Sequence, residues 1–274
     1  MVNHLLERTE RVGRPWATEG NGRPPVLWHL KVSHYNEKAR WALDFKRVPH
    51  IRRAAIPGRH AKIAKALGAG TTFPVLELDG EVIGDSTLII RELERRYPEP
   101  PLYPDAAAER RRGLAIEDVF DEELGPYLRL LVLQHMLPDP SLLLGAFAPD
   151  LSVPRRLTAR AIYPLIRRGL TRDFGIDSAG VNRAWRKCRR ACERFAAELG
   201  SSGYLVAERF TIADLTVAAL LSPVVAPRQF PYPQPQREHP RLADLRRMLD
   251  DRGALEWTRW IYEHHRPRSM AVVG

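Results

Sequence analysis

Residues 71–86 read TTFPVLELDGEVIGDS, and this stretch decides most of the fold. Two short apolar runs, Val75–Leu78 and Val82–Ile83, flank an Asp-Gly pair of the kind found in tight β-hairpin turns. Pro74 precedes the first run, and Asp85-Ser86 follows the second as a pair that suits the start of a helix. The stretch therefore predicts a β-hairpin that leads directly into a helix.

Upstream of this hairpin the apolar pattern alternates between strand and helix. Val26–Lys31 is a predicted strand, and the apolar positions between Tyr35 and Phe45 recur at the spacing of an amphipathic helix. Ile51–Ile56 predicts a second strand, and Gly58–Leu67 predicts an irregular basic helix. The helix after the hairpin ends at the Tyr97-Pro98 break. This order predicts a small mixed sheet with helices on its faces.

The pattern changes after Pro98, where a proline-rich segment is followed by helical periodicity alone. The predicted helical stretches are residues 105–135, 154–173, 179–199, 211–222 and 241–264. Six prolines lie between residues 223 and 240 and predict a long irregular surface loop. The change predicts an α/β domain followed by an all-α domain.

Composition excludes several classes of protein. The 274 residues are 44% hydrophobic and 28% charged, which is globular and excludes fibrous and wholly disordered chains. The longest uncharged stretch, Leu215–Pro227, has 13 residues and two prolines, too few to cross a bilayer. Charged residues near the N-terminus do not fit a secretory signal, so a cytoplasmic protein with Cys188 and Cys192 reduced is expected.

The basic charge is unevenly distributed along the chain. The formal net charge is +10, yet residues 151–200 alone hold 12 basic and 4 acidic residues. A basic excess suggests nucleic acid or an anionic surface as a partner. Because the excess is confined to one helical stretch, neither nucleic acid nor a membrane is expected as a partner.

Four motifs occur in the order and spacing of a known family. They are Ser33-His34-Tyr35-Asn36 between the first strand and helix, Phe73-Pro74 and Asp85-Ser86 around the hairpin, and the capping box Phe210-Thr211-Ile212-Ala213-Asp214. Together they resemble the soluble glutathione transferase superfamily, and Ser33 resembles the key residue of its serine-type members. The resemblance implies a thioredoxin-like N-terminal domain followed by a helical-bundle C-terminal domain.

The residue pattern sets the expected domain boundaries, and the resemblance implies an assembly. The expected segments are a flexible arm at residues 1–24, a thioredoxin-like domain at 25–98, a linker at 99–104, an all-helical domain at 105–264 and a tail at 265–274. A homodimer is implied because family members usually pair through the first domain of one subunit and the second of its neighbour.

Residues around the hairpin are implied to bind the thiol. By resemblance Pro74 is a cis-proline, and the main chain of Phe73 pairs with the cysteinyl part of glutathione. Asp85 and Ser86 are implied to hold the γ-glutamyl end of the tripeptide. The alternative for Asp85-Ser86 is a plain helix N-cap.

Ser33 is the predicted activator of the thiol. A thiol with a pKa of about 8.5 is mostly protonated at neutral pH, and a hydroxyl donor beside a helix N-terminus favours its thiolate. Tyr35 and His34 are rival donors, and Ser33 has the alternative of serving only as a helix cap.

Further residues are candidates to bind the glycine end of the thiol and the apolar electrophile. Arg59 and His60 are candidates to meet the glycine carboxylate of a tripeptide thiol, with a solvated face as the alternative. Tyr127 is a candidate for the apolar wall of the electrophile pocket, together with neighbouring positions. These neighbours are Phe120, Leu124, Leu130 and Leu131.

The first helix start also excludes a class of chemistry. Thioredoxin-like and glutaredoxin-like enzymes need a cysteine of low pKa where this chain has Ser33. No cysteine precedes Cys188, so thiol–disulfide exchange is not expected. The leading prediction is a detoxifying glutathione transferase-like enzyme that joins a low-molecular-weight thiol to a hydrophobic electrophile, without a metal or tightly bound cofactor. The alternatives are a thiol-dependent isomerase and a non-catalytic module whose basic stretch binds an acidic partner.

Overall fold

The computed structural model describes residues 23–250 and 252–273, so nearly all of the expected arm at 1–24 lies outside the described residues. Five strands of the described chain form one mixed sheet. They are β1 (Val26–His29), β2 (His50–Ala54), β3 (Val75–Leu78), β4 (Glu81–Gly84) and β5 (Ala271–Val272). Their order is β4-β3-β1-β2-β5, and β1 runs parallel to β2 and antiparallel to β3. The predicted hairpin and mixed sheet are confirmed.

Helices cover both faces of this sheet in the first domain. They are α1 (His34–Phe45), α2 (His60–Ala66) and α3 (Ser86–Arg96). Leu76 belongs to the large core with α1 and α3, whereas its neighbour Val75 packs with Ala64 of α2. Successive side chains of a strand point to opposite faces, so β3 contacts helices on both sides. The first domain is thioredoxin-like, as expected.

The second domain contains only helices in the part of the chain that the structure describes. They are α4 (Ala107–Glu123), α5 (Gly125–Met136), α6 (Pro140–Phe147), α7 (Val153–Ala161), α8 (Tyr163–Asp173), α9 (Ser178–Glu198), α10 (Ile212–Val225), the short 3-10 helix Pro235–Glu238, α11 (Pro240–Leu249) and α12 (Ala254–His265). Buried α10 packs against α1, α4 and α12 and so joins the two domains. No described helix is long and apolar enough to span a membrane.

Three predicted helices are each divided in two. The stretch 105–135 changes helix at Gly125, where Pro126 occupies the first turn of α5. The stretch 154–173 breaks before Pro164, and 241–264 breaks at Gly253 in the left-handed region. In contrast, α10 continues through Pro223, so the irregular loop begins later than predicted.

The residues expected to form a tail instead complete the first domain. The predicted tail began at residue 265, yet β5 pairs in parallel with β2 at the edge of the sheet. Arg266 is buried and lies 2.7 Å from Glu37 and 2.8 Å from Asp44, both fully buried on α1. Tail residues therefore hold an element of the first domain through buried ion pairs.

Candidate functional site

Ser33 stands where β1 turns into α1. It occupies the N-cap position with extended backbone at φ −78° and ψ 129°, but its hydroxyl does not cap the helix. Instead, Ser33 Oγ accepts a hydrogen bond of 2.7 Å from Asn36 Nδ2. Because the oxygen is the acceptor here, the hydroxyl proton is left to be donated elsewhere.

Asn36 joins Ser33 to the segment before Pro74. The same Nδ2 atom donates to the Phe73 carbonyl at 3.1 Å, and Asn36 Oδ1 accepts from the Leu30 amide at 2.9 Å. The Phe73–Pro74 peptide is cis, as the resemblance implies. Ser33 and Phe73, which are 40 positions apart, therefore both accept hydrogen bonds from the buried side-chain amide of Asn36. The Ser-x-x-Asn spacing at a helix start was the available sequence signal.

The bulky Phe73 side chain lies inside the first domain. It packs with Ala64 and Val75, and its ring centroid lies 5.9 Å from that of His60. His60 Nδ1 accepts from the Gly58 amide at 3.1 Å, and partial burial lowers the pKa of His60. His60 is thus near Phe73, whereas its neighbour Arg59 is exposed.

Asp85 lies beside Pro74 because of the hairpin register. Gly84 pairs with Val75, so the residue after one strand is opposite the residue before the other. Asp85 Oδ1 accepts from the amides of Thr87 at 2.8 Å and Leu88 at 3.2 Å, which makes Asp85 a helix cap. No described residue hydrogen bonds to its Oδ2 atom. One carboxylate oxygen therefore caps α3 and the other is open to a ligand, while Ser86 is buried.

A buried polar cluster fixes the start of α3 against α4. Lys38 Nζ lies 2.9 Å from Glu117 and also pairs with Asp121, and its side chain is fully buried. Thr87 Oγ1 lies 3.0 Å from a carboxylate oxygen of each acid. Unpaired buried charges are costly, so the cluster ties the two domains together beside Asp85.

Tyr35 forms a contact between the domains. Its hydroxyl donates to the Asp121 carbonyl at 2.6 Å, and burial raises its pKa well above the ordinary value. A Cβ atom on Gly125 would lie 2.2 Å from the Tyr35 oxygen, so only glycine fits there. With its proton engaged and its pKa raised, Tyr35 is a poor thiol activator.

His34, which is buried, and Arg129, which is partly buried, are two basic side chains at the same junction. Burial, with help from the Arg129 charge, lowers the pKa of His34 to about 3 and keeps it neutral. The Arg129 guanidinium lies 4.9 Å from the Phe174 ring, and its buried Nε has no hydrogen-bond partner in the part of the chain that the structure describes. No carboxylate of the described residues lies within ion-pair distance of Arg129. Sequence patterns gave no signal for this cation.

Tyr127 lies on the other side of α5. It is two residues before Arg129, about 160° away around the helix, and Lys187 of α9 covers its ring at 5.9 Å. The four apolar neighbours predicted with it are core residues: Phe120, Leu124, Leu130 and Leu131. At this junction α5 therefore presents Gly125 and Arg129 to α1, rather than an apolar wall built on Tyr127.

Buried Arg40 and the proline-rich loop support the chain before Ser33. Arg40 donates to the carbonyls of Leu30, Lys31 and Ser33 at 3.1, 3.2 and 3.4 Å. The Tyr232 ring of the loop lies 5.2 Å from the Arg40 guanidinium. The loop is therefore packed against the candidate site from outside the first domain.

Two family models match this chain. The model described as glutathione S-transferase, N-terminal domain, matches residues 27–101, and the corresponding C-terminal domain model matches residues 178–247. Together they cover just over half of the chain. The chain belongs to the glutathione S-transferase superfamily.

Curated relatives of this glutathione S-transferase superfamily member include two named isomerases. Maleylacetoacetate isomerase of Dictyostelium discoideum is 27% identical over 40% of this chain and 49% of the relative. Maleylpyruvate isomerase of a Ralstonia species is 32% identical over 40% of this chain and 52% of the relative. The matched region thus spans about half the length of each of these two relatives.

Solved structures share the fold at low identity. A glutathione S-transferase of Ceriporiopsis subvermispora, solved in complex with glutathione, superimposes with a TM-score of 0.59 at 19% identity. The match covers 92% of this chain and 99% of that one. It confirms the thioredoxin-like domain followed by a helical domain.

Proposed function

We propose that this superfamily member binds a low-molecular-weight thiol, glutathione or a related compound, and activates its sulfur with Ser33. The observation that carries the proposal is the hydrogen bond from Asn36 to Ser33 Oγ, which leaves the Ser33 proton for a thiolate. The start of α1 adds backbone N–H groups that favour negative charge. The sulfur of the bound thiol, rather than a protein cysteine, is the nucleophile.

The rest of the thiol lies along the hairpin in this proposal. The main chain of Phe73, beside the cis-proline, pairs with the cysteinyl part, and the open oxygen of Asp85 receives the ammonium of the γ-glutamyl end. The Ser86 hydroxyl and its amide, which Asp85 does not occupy, receive its carboxylate. His60 is closer to this path than Arg59 because it contacts Phe73.

Turnover and binding together test this assignment. We expect titration calorimetry to show glutathione binding, and Ser33→Ala to lower the rate with an activated aryl halide by about 100-fold while binding is largely kept. Ser152→Ala is the matched control, because Ser152 is another N-cap serine whose side chain does not cap its helix. Equal rates for Ser33→Ala and wild type would remove Ser33 from the mechanism. Absence of both binding and turnover would favour the non-catalytic module.

Arg129 favours isomerisation as a second candidate function. Arg129 lies near the start of α1 and has no ion-pair partner among the described residues, so it suits an electrophile with a carboxylate. The two named relatives act on maleyl compounds, which carry a carboxylate. In this reaction the thiolate adds to an activated double bond, the new single bond rotates, and elimination of the same thiolate restores the double bond as the other isomer. The thiol is regenerated, so no oxidant or reductant is needed.

Arg129→Met separates the two functions. We expect it to raise the KM for a carboxylate-bearing cis-alkene by more than about tenfold and to leave turnover of a neutral aryl halide within about twofold. Arg129→Lys should restore part of the lost affinity because it keeps the charge. If Arg129→Met affects both substrates equally, Arg129 supports the fold rather than the substrate.

The proposal includes a homodimer, as expected from the family. It also keeps a cytoplasmic location as a prediction. Light scattering coupled to size-exclusion chromatography measures the oligomeric state. The mass of a single chain at micromolar concentration would contradict the homodimer.

A further inference from the structure

Helices α7 and α8 form a segment that neither family model matches. The matched regions end at residue 101 and resume at residue 178, so both helices lie between them. No residue of α7 is buried, and Tyr163 is the one buried residue of α8. The pair therefore stands out from the helical domain.

Large apolar side chains of this pair are exposed to solvent. The exposed fractions are 73% for Val153, 63% for Leu157, 47% for Ile162 and 72% for Leu165. A single exposed leucine needs no explanation, but a contiguous apolar patch marks an interaction surface. Val153 and Leu157 are one helical turn apart, so they lie on one face of α7.

Basic residues surround this apolar face. At 100° per residue, Val153, Leu157 and Ala161 span an arc of about 80° on α7. Arg155, Arg156 and Arg160 fall between about 200° and 340°, so Arg155 lies opposite the apolar arc and Arg160 borders Val153. On α8 the arginines are Arg167, Arg168 and Arg172. Only Arg172 has a carboxylate within ion-pair distance among the described residues, and that partner is the adjacent Asp173.

We propose that α7 and α8 dock this protein on an anionic phospholipid surface. The helices lie in the interface without crossing the bilayer, with Leu157 and Leu165 among the acyl chains and the arginines at the phosphates. Exposed apolar side chains bordered by arginines on short exposed helices are the features of interfacial helices. From the sequence alone a membrane partner was not expected, and the exposure of these apolar side chains is what favours one.

Other occupants fit the same residues less well. A second copy of this surface brings like charges together and is repelled. A soluble polyanion such as nucleic acid pairs with the arginines but gives the exposed leucines no apolar partner. An anionic lipid surface satisfies both kinds of side chain, and it does not depend on the proposed thiol chemistry.

Co-sedimentation of the full chain with lipid vesicles tests the proposal. We expect binding to vesicles of equimolar phosphatidylcholine and phosphatidylglycerol, little binding to phosphatidylcholine alone, and weaker binding as salt is added. The double variant Leu157→Glu with Leu165→Glu should lose more than about tenfold in partition coefficient. Arg155→Gln with Arg156→Gln should lose about fivefold for each arginine.

Matched variants control for general changes in charge and apolarity. Met248→Glu removes an apolar side chain that is 50% exposed on α11, and Arg189→Gln with Arg190→Gln removes two exposed arginines of α9. Both should bind vesicles as wild type does. Circular dichroism and thermal unfolding confirm that each variant is folded.

Five results would overturn the proposal. These are no binding to anionic vesicles at low salt, equal binding to neutral vesicles, and an equal loss in the control variants. The fourth is loss in the arginine variants without loss in the leucine variants, which would indicate a soluble polyanion, tested directly with duplex DNA. A dimer in the absence of lipid that dissociates in the leucine variants would likewise replace the membrane with a second copy.

Discussion

Asp85 has two tasks that a single substitution can separate. Asp85→Asn keeps an oxygen that can cap α3, and asparagine tolerates the left-handed backbone found there at φ 73°. We expect the free energy of unfolding to stay within about 0.5 kcal/mol of wild type. Thiol affinity should fall about tenfold, because the charge opposite the ammonium is lost. Chemical denaturation and calorimetry measure the two effects.

Asp139→Asn is the matched control for this change. Asp139 caps α6 by accepting from the amides of Ser141 and Leu142, just as Asp85 caps α3. It should leave thiol affinity unchanged. If Asp85→Asn also binds the thiol as wild type does, Asp85 is a cap and nothing more.

His34 makes the fold sensitive to acid. Its pKa is lowered from 6.5 to about 3 in the folded protein, so the unfolded chain binds the extra proton between these values. The free energy of unfolding therefore falls as the pH drops below 6.5, by about 2 kcal/mol for this group between pH 7 and pH 5. His34→Gln should lose about 2 kcal/mol less over the same interval in urea denaturation. His264→Gln, at an exposed position, is the control. If His34→Gln shows the same pH dependence of the unfolding free energy as wild type or as this control, His34 is not the cause of the acid sensitivity.

The role of a residue was predictable where the residue belongs to a motif that recurs in the family. The cis bond at Pro74 was implied by the family resemblance, and the junction of strand and helix at Ser33 followed from the apolar pattern. The roles of Asn36 and Arg129 were missed because they depend on distance in space. Asn36 contacts Phe73, which is 37 positions away in the chain, and no carboxylate of the described residues lies near Arg129. Helical spacing alone does not tell which neighbour the face with Tyr127 meets, so a role for Tyr127 in the electrophile pocket stays a prediction.

At the scale of elements, Gly125 sets how closely α5 approaches α1. Gly125→Ala would place Cβ against the Tyr35 hydroxyl and displace its hydrogen bond to Asp121, so we expect a loss of about 1 to 3 kcal/mol in unfolding free energy. Gly169→Ala is the control, because nothing lies within 4 Å of the new Cβ on α8. It should stabilise the protein by up to about 1 kcal/mol. If both variants change the free energy of unfolding in the same direction, packing at Gly125 is not the cause of the loss in Gly125→Ala.

Element types were predicted better than element ends. The sheet, the hairpin and the helical nature of the second domain were all predictable from periodicity. The breaks at Gly125 and Gly253 were not, because apolar spacing continues across them when a second helix packs on the same core. The helix through Pro223 was predicted too short because proline lacks an N–H and usually ends a helix, yet α10 continues past it to Val225.

At the scale of the whole molecule, Arg266 holds the second domain's last helix to the first domain. Glu37 also pairs with Arg40 at 2.7 Å, and Asp44 pairs with Arg52 at 2.6 Å, so Arg266 completes a buried network. Arg266→Met should lower the free energy of unfolding by about 3 kcal/mol, because it leaves buried carboxylates short of a cation. The exposed Arg268→Met should have little effect. Similar losses in both variants, measured by denaturation, would remove the network as the cause.

The pairing of β5 with β2 has a consequence during synthesis. Some 220 residues separate these strands. Strands β1 to β4 therefore leave the ribosome long before β5, which completes the sheet at its edge. Until then Glu37 and Asp44 lack the ion pairs that they form with Arg266 in the folded protein. A nascent chain halted after the linker should consequently be digested by protease far faster than the same residues in the finished protein, although its secondary structure is already encoded.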